Sequence, residues 1–330
     1  MSTPRLPAFS SVLKSRDVED PVNLWVHRPL AYAFVALIYR TPITPNQITL
    51  LALLVGLSAG ALWFHGTESA MLWGGILLWT SAILDGADGI LARAKQMFTD
   101  LGRALDGTAD SVVALVTVSA AFFHVWQSAR DPLHLWLMPI AITTAVVHIE
   151  LYDFYKESYL QRTNPNWTGH PERLAEVEGR LPKLLQRRAP WTSIVATHMY
   201  IGLVRAQTRV VALTNPAGAR EHLTFPVSDE TCVVYRKHNR GPMRLWAMIS
   251  LAPHSYLMSI CGMFDRLDIY LWIRVLLANA IFVWVMLWQR AASRKTLEEL
   301  SQKGLAPVPA YDPAPSGGGV AHAAPSGETR

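Results

Sequence analysis

The chain has 330 residues, of which 51% are hydrophobic and only 17% charged, with a formal net charge of +5. Twelve Trp and a mean hydropathy of +0.18 set it apart from charge-rich soluble proteins and from basic nucleic-acid surfaces. Two cysteines, Cys232 and Cys261, exclude a disulfide framework and a zinc-type spacing.

Residues 1–22 are polar and contain no early apolar core, so no cleavable signal peptide is expected there. Residues 23–41 are aromatic but interrupted by His27, Arg28 and Arg40. That run is short for a span and reads as a helix lying in the membrane interface. Thr44-Pro45-Asn46 then opens a helix, with Thr44 as cap and Pro45 in the first turn. Apolar runs of roughly the 20 residues that a bilayer core needs follow at 44–65, 70–93, 101–126, 132–154, 242–263 and 267–289. The expected fold class is therefore all-α integral membrane, with six transmembrane helices and an N-terminal interfacial helix.

Three connections between these spans are short, and their only basic residues are Arg130 and Arg266. The opposite side carries Arg28, Arg40, the 93–103 bend, the long connection before 242 and the Arg290, Arg294, Lys295 cluster. Positive charge marks the cytoplasmic face, so both termini are expected there. Three regions follow: 1–43 with the interfacial helix, a membrane domain over 44–303 with a cytoplasmic insert at 157–241, and a disordered Pro/Ala/Gly/Ser tail at 304–330. Within the insert, Leu174, Val177, Leu181, Leu184 and Leu185 make an amphipathic stripe that Pro182 bends or divides. A second, more apolar segment at 193–213 carries His198, Arg205 and Arg209, which argue against a span. Ser228-Asp229-Glu230 reads as a helix start, and Gly241-Pro242 as the end of that element.

The chemistry concentrates at 84–110. Asp85 and Asp88 are three apart, Asp106 and Asp110 four apart, and on a helix each spacing puts both side chains on one face. Four carboxylates so close must take up protons or hold cations. Asp oxygens are the hard ligands that Mg²⁺ and Mn²⁺ prefer, and a pair of such ions suits phosphoryl displacement. Gly89 and Gly102 leave room for a flat ligand, and Arg93 offers a fork that matches phosphate. The competing reading is a cation-coupled transporter using the same aspartates.

This stretch resembles the signature of the CDP-alcohol phosphotransferase family, D-x-x-D-G-x-x-A-R, a spacer, then G-x-x-x-D-x-x-x-D. Asp85, Asp88, Gly89, Ala92, Arg93, Gly102, Asp106 and Asp110 fill every fixed position. The resemblance implies transfer of a substituted phosphate from a CDP-linked donor to an alcohol, with release of CMP. It implies two divalent ions, Mg²⁺ or Mn²⁺, on Asp85, Asp88 and Asp106, with Asp110 as the fourth ligand and the base. It also implies that Gly89, Ala92 and Gly102 admit the cytidine while Arg93 helps to hold the diphosphate, and that the protein is a homodimer. Six spans resemble the branch that uses CDP-diacylglycerol, whereas the choline and ethanolamine branch transfers to a lipid alcohol and has more spans. The acceptor stays open among inositol phosphate, glycerol phosphate, inositol and serine.

Outside the signature, Asn46 and Thr49 lie at the mouth of the first span, as site residues or as a cap. His148, Glu150, Tyr152 and Tyr155 are candidates for an acceptor pocket or for an interfacial belt. Arg244 and the Arg236-Lys237 pair are candidates for an acceptor phosphate or for lipid head groups. Arg274 is expected to pair with Asp265 or Asp268, or to snorkel outward.

Overall fold

The computed structural model describes residues 6–11, 15–97, 99–129, 132–164, 174–187, 190–221 and 227–305. Among them every regular element is a helix and no strand occurs. The expected tail falls almost wholly outside the described residues, as does Arg130.

A short π-helical turn, Asn23–His27, leads into α1, Arg28–Ile38. Helix α2, Pro45–His65, starts as its sequence dictates: Pro45 takes the first position, and the Thr44 N–H donates to the Gln47 side-chain oxygen at 2.9 Å. Its left-handed cap is Gly66, with φ at 74°. Thr67 then accepts from the Ala70 N–H to cap α3, Glu68–Lys95. Gln96 ends α3 in the left-handed region, and α4, Asp100–Ala129, returns. Helices α2, α3 and α4 pack closely because Gly56 and Gly60 of α2 leave space for Val113 and Val116 of α4. A Cβ at either glycine would lie within 2.7 Å of a valine methyl. Trp63, fully buried, wedges against Gly74 of α3 and the later Gly262, and its indole N–H donates to the Met71 carbonyl at 3.1 Å.

Helix α5, Pro132–Thr163, runs past the expected end of the fourth span and into the insert. There α6, Leu174–Glu178, and α7, Arg180–Gln186, divide at Gly179, which lets Pro182 fall in the first turn of α7. Leu174, Val177 and Leu181 of the stripe pack on Ile201 and Val204 of α8, Trp191–Thr214, whereas Leu185 stays exposed. The far end of α8 docks on the membrane domain: Gln207 donates to the Glu150 carbonyl, and Asn215 donates to Tyr155 and Ser293. A short α9, Pro216–Glu221, follows.

Helix α10, Asp229–Ala247, begins at Ser228 as expected but does not end at Gly241-Pro242. Pro242 sits buried inside it, and the bare Gly241 backbone receives the Trp288 ring, so the helix continues through both. The break comes instead at 248–250, and α11, Leu251–Met263, restarts after it. Pro253 gives the reason: in an unbroken helix its ring would clash with the carbonyl of residue 249, four positions back. The stretch expected as the fifth span is therefore two helices, and α11 alone is about 20 Å long, less than the roughly 30 Å of a hydrocarbon core. After it, α12, Leu267–Trp272, a π-helical stretch Ile273–Ala278 and α13, Asn279–Gln302, run on as one rod. Among the described residues, five helices are long and apolar enough to cross a membrane: α2, α3, α4 over Leu105–Ser128, α5 and the Leu267–Gln302 rod.

Candidate functional site

The α3–α4 hairpin carries the acidic side chains. Asp85 and Asp88 leave α3 on one face, Asp106 leaves α4 opposite them, and carboxylate oxygens of all three lie within 4.8 Å of one another. Asp110, one turn beyond Asp106, is in hydrogen-bond contact with Asp85. Asp88 is buried, and the Thr49 hydroxyl of α2 donates to it. Thr49 is thus part of the site rather than only the first turn of a helix. A set of three to four carboxylates closing on one point, in a partly desolvated cavity, fits oxygen-seeking divalent cations.

Gly89 and Arg93 line the same cavity, with the Arg93 guanidinium lying over the Gly89 backbone; a Cβ there would sit 3.4 Å from it. Ala92 and Gly102 do not line it. The Ala92 carbonyl accepts the N–H groups of Gln96 and Met97 at the end of α3. Gly102 lets the start of α4 meet Asn46 of α2, since a Cβ there would come 2.9 Å from the Asn46 side-chain oxygen. Lys95 completes the bend by donating to the carbonyls of Thr41 and Ile43.

The cavity measures about 440 Å³, and it is also lined by Val18, Glu19 and Asp20 of the polar N-terminus and by Asn23, His27 and Arg28 at the start of the run expected as an interfacial helix. Asp17, Val18, Glu19 and Asp20 are all buried, and the segment 17–28 lies across the cavity as a strap. Asp17 accepts from Arg236 and Arg240 at 2.8 Å and from Tyr159 at 2.9 Å, with Arg244 at 3.7 Å. The Tyr152 hydroxyl donates to the Val18 carbonyl, and Tyr256 donates to Asp20. Glu19 holds Arg28 at 3.0 Å, and Arg28 reaches the Gly86 carbonyl of α3. Burial pushes the Asp17 carboxyl up, but the Tyr159 hydrogen bond and the two arginines outweigh it and leave its pKa below the ordinary value. Asp20 is raised by burial. Burial, with Arg28 beside it, lowers His27 to about 4. The single signal in the sequence was a run of three acids within four residues facing a basic stretch more than 200 residues away, and nothing local connects the two.

The other candidates divide. Tyr152, Asp153 and Lys156 of α5 line the cavity. His148 does not: it is fully buried, stacked on Phe282. Tyr155 stacks on Trp246 in the core, and Glu150 is also away from the cavity wall. Arg236 and Arg244 face Asp17, and Lys237 pairs with Glu299. Arg274 neither pairs with Asp265 or Asp268 nor snorkels: Asp268 is taken by Arg266 and Asp265 by His124, and Arg274 is buried in the π-helical stretch. His254 lines the cavity and contacts the Tyr270 hydroxyl.

Comparison with known sequences adds two findings. The model of the family described as CDP-alcohol phosphatidyltransferase matches residues 42–215. A similar protein is the "Bifunctional IPC transferase and DIPP synthase" of Aquifex aeolicus (strain VF5), 37% identical over 85 residues. That match covers 26% of this chain and 19% of the relative, so the two share about a fifth of the relative's length. The strap precedes the matched region.

Proposed function

As the chain belongs to the CDP-alcohol phosphatidyltransferase family, we propose that it is a membrane phospholipid synthase, moving a substituted phosphate from a CDP-linked donor to an alcohol and releasing CMP. The observation that carries this is the convergence of Asp85, Asp88 and Asp106 in a cavity at the membrane-spanning helices, with Asp110 beside them. Asp85, Asp88, Asp106 and Asp110 would hold two divalent ions, Mg²⁺ or Mn²⁺. Such ions, when bound, neutralise the diphosphate and the charge that grows on the leaving CMP.

The chain's own residues have separate roles in this reading. Arg93, lying over Gly89, receives the diphosphate of the donor in a bidentate fork. Gly89 leaves room for the cytidine and ribose at the cavity wall, while Ala92 and Gly102 act only through the shape of the bend that carries the aspartates. Asp110 takes the proton of the acceptor hydroxyl as its oxygen bonds to phosphorus; the phosphorus–oxygen bond to CMP breaks, and that electron pair leaves with CMP. Thr49 orients Asp88, as outer partners of ligating carboxylates do.

CDP-diacylglycerol is the donor in this reading. An apolar cavity of about 270 Å³ between α4, α5 and α11 shares Ala114, Ile149 and Met258 with the acidic one, and suits acyl chains beside a phosphate held at the aspartates. The proposal includes a sixth crossing made jointly by the end of α10 and α11, an interfacial α1, and a homodimer. Both termini and the site would face the cytoplasm, and 157–241 would be a cytoplasmic insert.

The test is CMP release by the purified chain in detergent, given CDP-diacylglycerol, Mg²⁺ or Mn²⁺, and single alcohols in turn. Release that needs both the metal and one alcohol is expected. Release only from soluble CDP-alcohols with a lipid acceptor would reverse donor and acceptor. No release from any pair, with solute uptake into proteoliposomes instead, would replace the enzyme with a cation-coupled transporter.

A further inference from the structure

Helix α10 and the residue that ends it present a row of exposed side chains four apart: Arg236, Arg240, Arg244 and Met248. At that spacing they share one face. The three guanidinium groups converge on one buried carboxylate, Asp17, at 2.7, 2.8 and 3.7 Å. Among the described residues Asp17 is the acid that contacts them, so positive charge is in surplus there. Each guanidinium carries five N–H donors, more than one carboxylate can take, and all three side chains are about half exposed. The row lies outside the acidic cavity, which none of its four residues lines.

Its depth can be read from the neighbouring helix. The Trp288 ring of α13 fills the space over Gly241, so α10 passes the level of Trp288 between Arg240 and Arg244. Trp288 stacks on Trp284, and both are exposed at the end of the apolar part of α13; Arg290 and Arg294, also exposed, follow. Exposed Trp succeeded by Arg marks the boundary between hydrocarbon and head groups. The row therefore starts at head-group depth and ends, at Met248, on apolar ground.

We propose that this row binds an anionic membrane lipid, with its phosphate on Arg236, Arg240 and Arg244 and an acyl chain against Met248. Guanidinium forks match phosphate oxygens, and the long arginine stems let the heads rise to meet them. The surplus positive charge selects a head group of net negative charge over one that carries a choline ammonium. A soluble phosphate would meet the same arginines but has no use for the apolar end of the row. Asp17 and the lipid phosphate draw on the same three guanidinium groups, so the strap's anchor and the lipid compete. The row lies beyond residues 42–215, the region that matches the family model, and its lipid is neither donor nor acceptor in the proposed reaction.

The experiment titrates the full chain, in a neutral detergent, with dioleoylphosphatidylglycerol and counts bound lipid by native mass spectrometry; dioleoylphosphatidylcholine is the uncharged probe. Phosphatidylglycerol is expected to bind more tightly than phosphatidylcholine. Arg244→Gln, whose contact with Asp17 is the longest of the three, should weaken phosphatidylglycerol binding about fivefold, the share of one basic residue near head groups, and Arg240→Gln should do so by a similar factor. Asp17→Asn should tighten it by about the same factor, because the competing charge is gone. A structural role alone would move these variants in one direction, since each loosens the strap. Arg294→Gln, which removes an exposed arginine of α13, should leave binding unchanged. If Arg240→Gln does not fold, Arg244→Gln and Asp17→Asn still give the opposite signs. Equal binding of the two lipids, wild-type binding in Arg244→Gln, an equal loss in Arg294→Gln, or weaker binding in Asp17→Asn would overturn the proposal. Displacement of the lipid by inorganic phosphate at equal concentration would overturn it in favour of a soluble phosphate. None of these readings uses CMP release, so failure of the transferase reading would leave this one standing.

Discussion

The acidic hairpin and the strap enclose one cavity by opposite means. In the hairpin, α3 and α4 are contiguous helices, and every carboxylate is placed by helical spacing within 26 residues. Their backbones are fixed by their own hydrogen bonds and by glycine-mediated packing on α2. The strap has only one short π-helical turn of its own. It is held by side chains 134 to 236 positions away in sequence, from Tyr152 to Tyr256. In the proposed transferase the chemistry falls to the rigid wall, while the position of the strap depends on a few long-range bonds. Hairpin variants should remove turnover and leave the fold, whereas strap variants should move substrate affinity and local stability and leave the chemical step.

The largest effect is expected at the hairpin. Asp106→Asn removes one of three converging carboxylates, and kcat/KM should fall by about 10³-fold, near the upper end of what one catalytic charge supplies. The same change relieves repulsion when no cation is bound. In EDTA the variant should melt at or above the wild-type temperature, by about 2–4 °C for each kcal/mol relieved, and it should lose most of the wild type's rise in Tm on adding Mg²⁺. Lost activity with a lower Tm in EDTA would mean that Asp106 is structural, and the division between the two walls would fail.

Thr49→Val comes next. It deletes the hydroxyl that donates to Asp88 and leaves a similar volume. Outer partners of metal-ligating carboxylates typically contribute 10–100-fold to affinity or activity. The expected outcome is a rise of that order in the Mg²⁺ concentration needed for half-maximal CMP release, with kcat largely restored at saturating Mg²⁺. A metal requirement unchanged from wild type would reduce Thr49 to a packing residue.

Asp17→Ala tests the strap. It removes the acceptor shared by Arg236, Arg240 and Tyr159. Those arginines are about half exposed and can return to water, so the cost is about 1–3 kcal/mol, the scale of hydrogen bonds to a charged group, rather than that of a fully buried ion pair. Hydrogen exchange across 17–28 should accelerate while α3 and α4 stay protected, and acceptor KM should rise more than kcat falls. Uniform acceleration through the hairpin would show that the two walls form one cooperative unit.

What the amino-acid pattern disclosed follows the same division. Asp85, Asp88, Asp106 and Asp110 were legible because helical periodicity converts spacing into direction, and Thr44-Pro45 marked where α2 starts. The break at 248–250 was legible in principle from Pro253, but the hydrophobic run through it suggested one span. Pro242 was misread as a stop because proline usually ends a helix; here burial and the Trp288 contact keep α10 intact around it. Arg274 looked like a charge in need of an acid, yet its nearby acids are taken by Arg266 and His124. Asp17 and His27 were not legible, because the partners of Asp17 lie on α5 and α10 and the ring of His27 packs on α3 and α11; Glu19 pairs with Arg28 only nine residues on, but its burial comes from the tertiary fold.

The smallest expected effect is on pH. His27 is held neutral, its pKa lowered to about 4 from an ordinary 6.5 chiefly by burial and then by Arg28. A group whose folded pKa lies below its unfolded one binds fewer protons when folded. Stability contributed by the neutral ring is therefore complete above about 6.5 and is lost as pH falls from there toward 4. Asp17 has the same sign at lower pH, since its folded pKa is also depressed, and its contribution fades only as pH drops below the ordinary carboxylate range. Between pH 7 and 5 the His27 contribution should loosen the strap, opposed by Asp20, whose raised pKa stabilises the fold as pH falls; the loosening is seen as faster hydrogen exchange in 17–28 after correction for the intrinsic rate. His27→Phe should abolish that pH dependence while Asp17→Asn leaves it in place. If Asp17→Asn abolishes it instead, the strap is governed by its anchor on α10 rather than by the ring that faces the cavity.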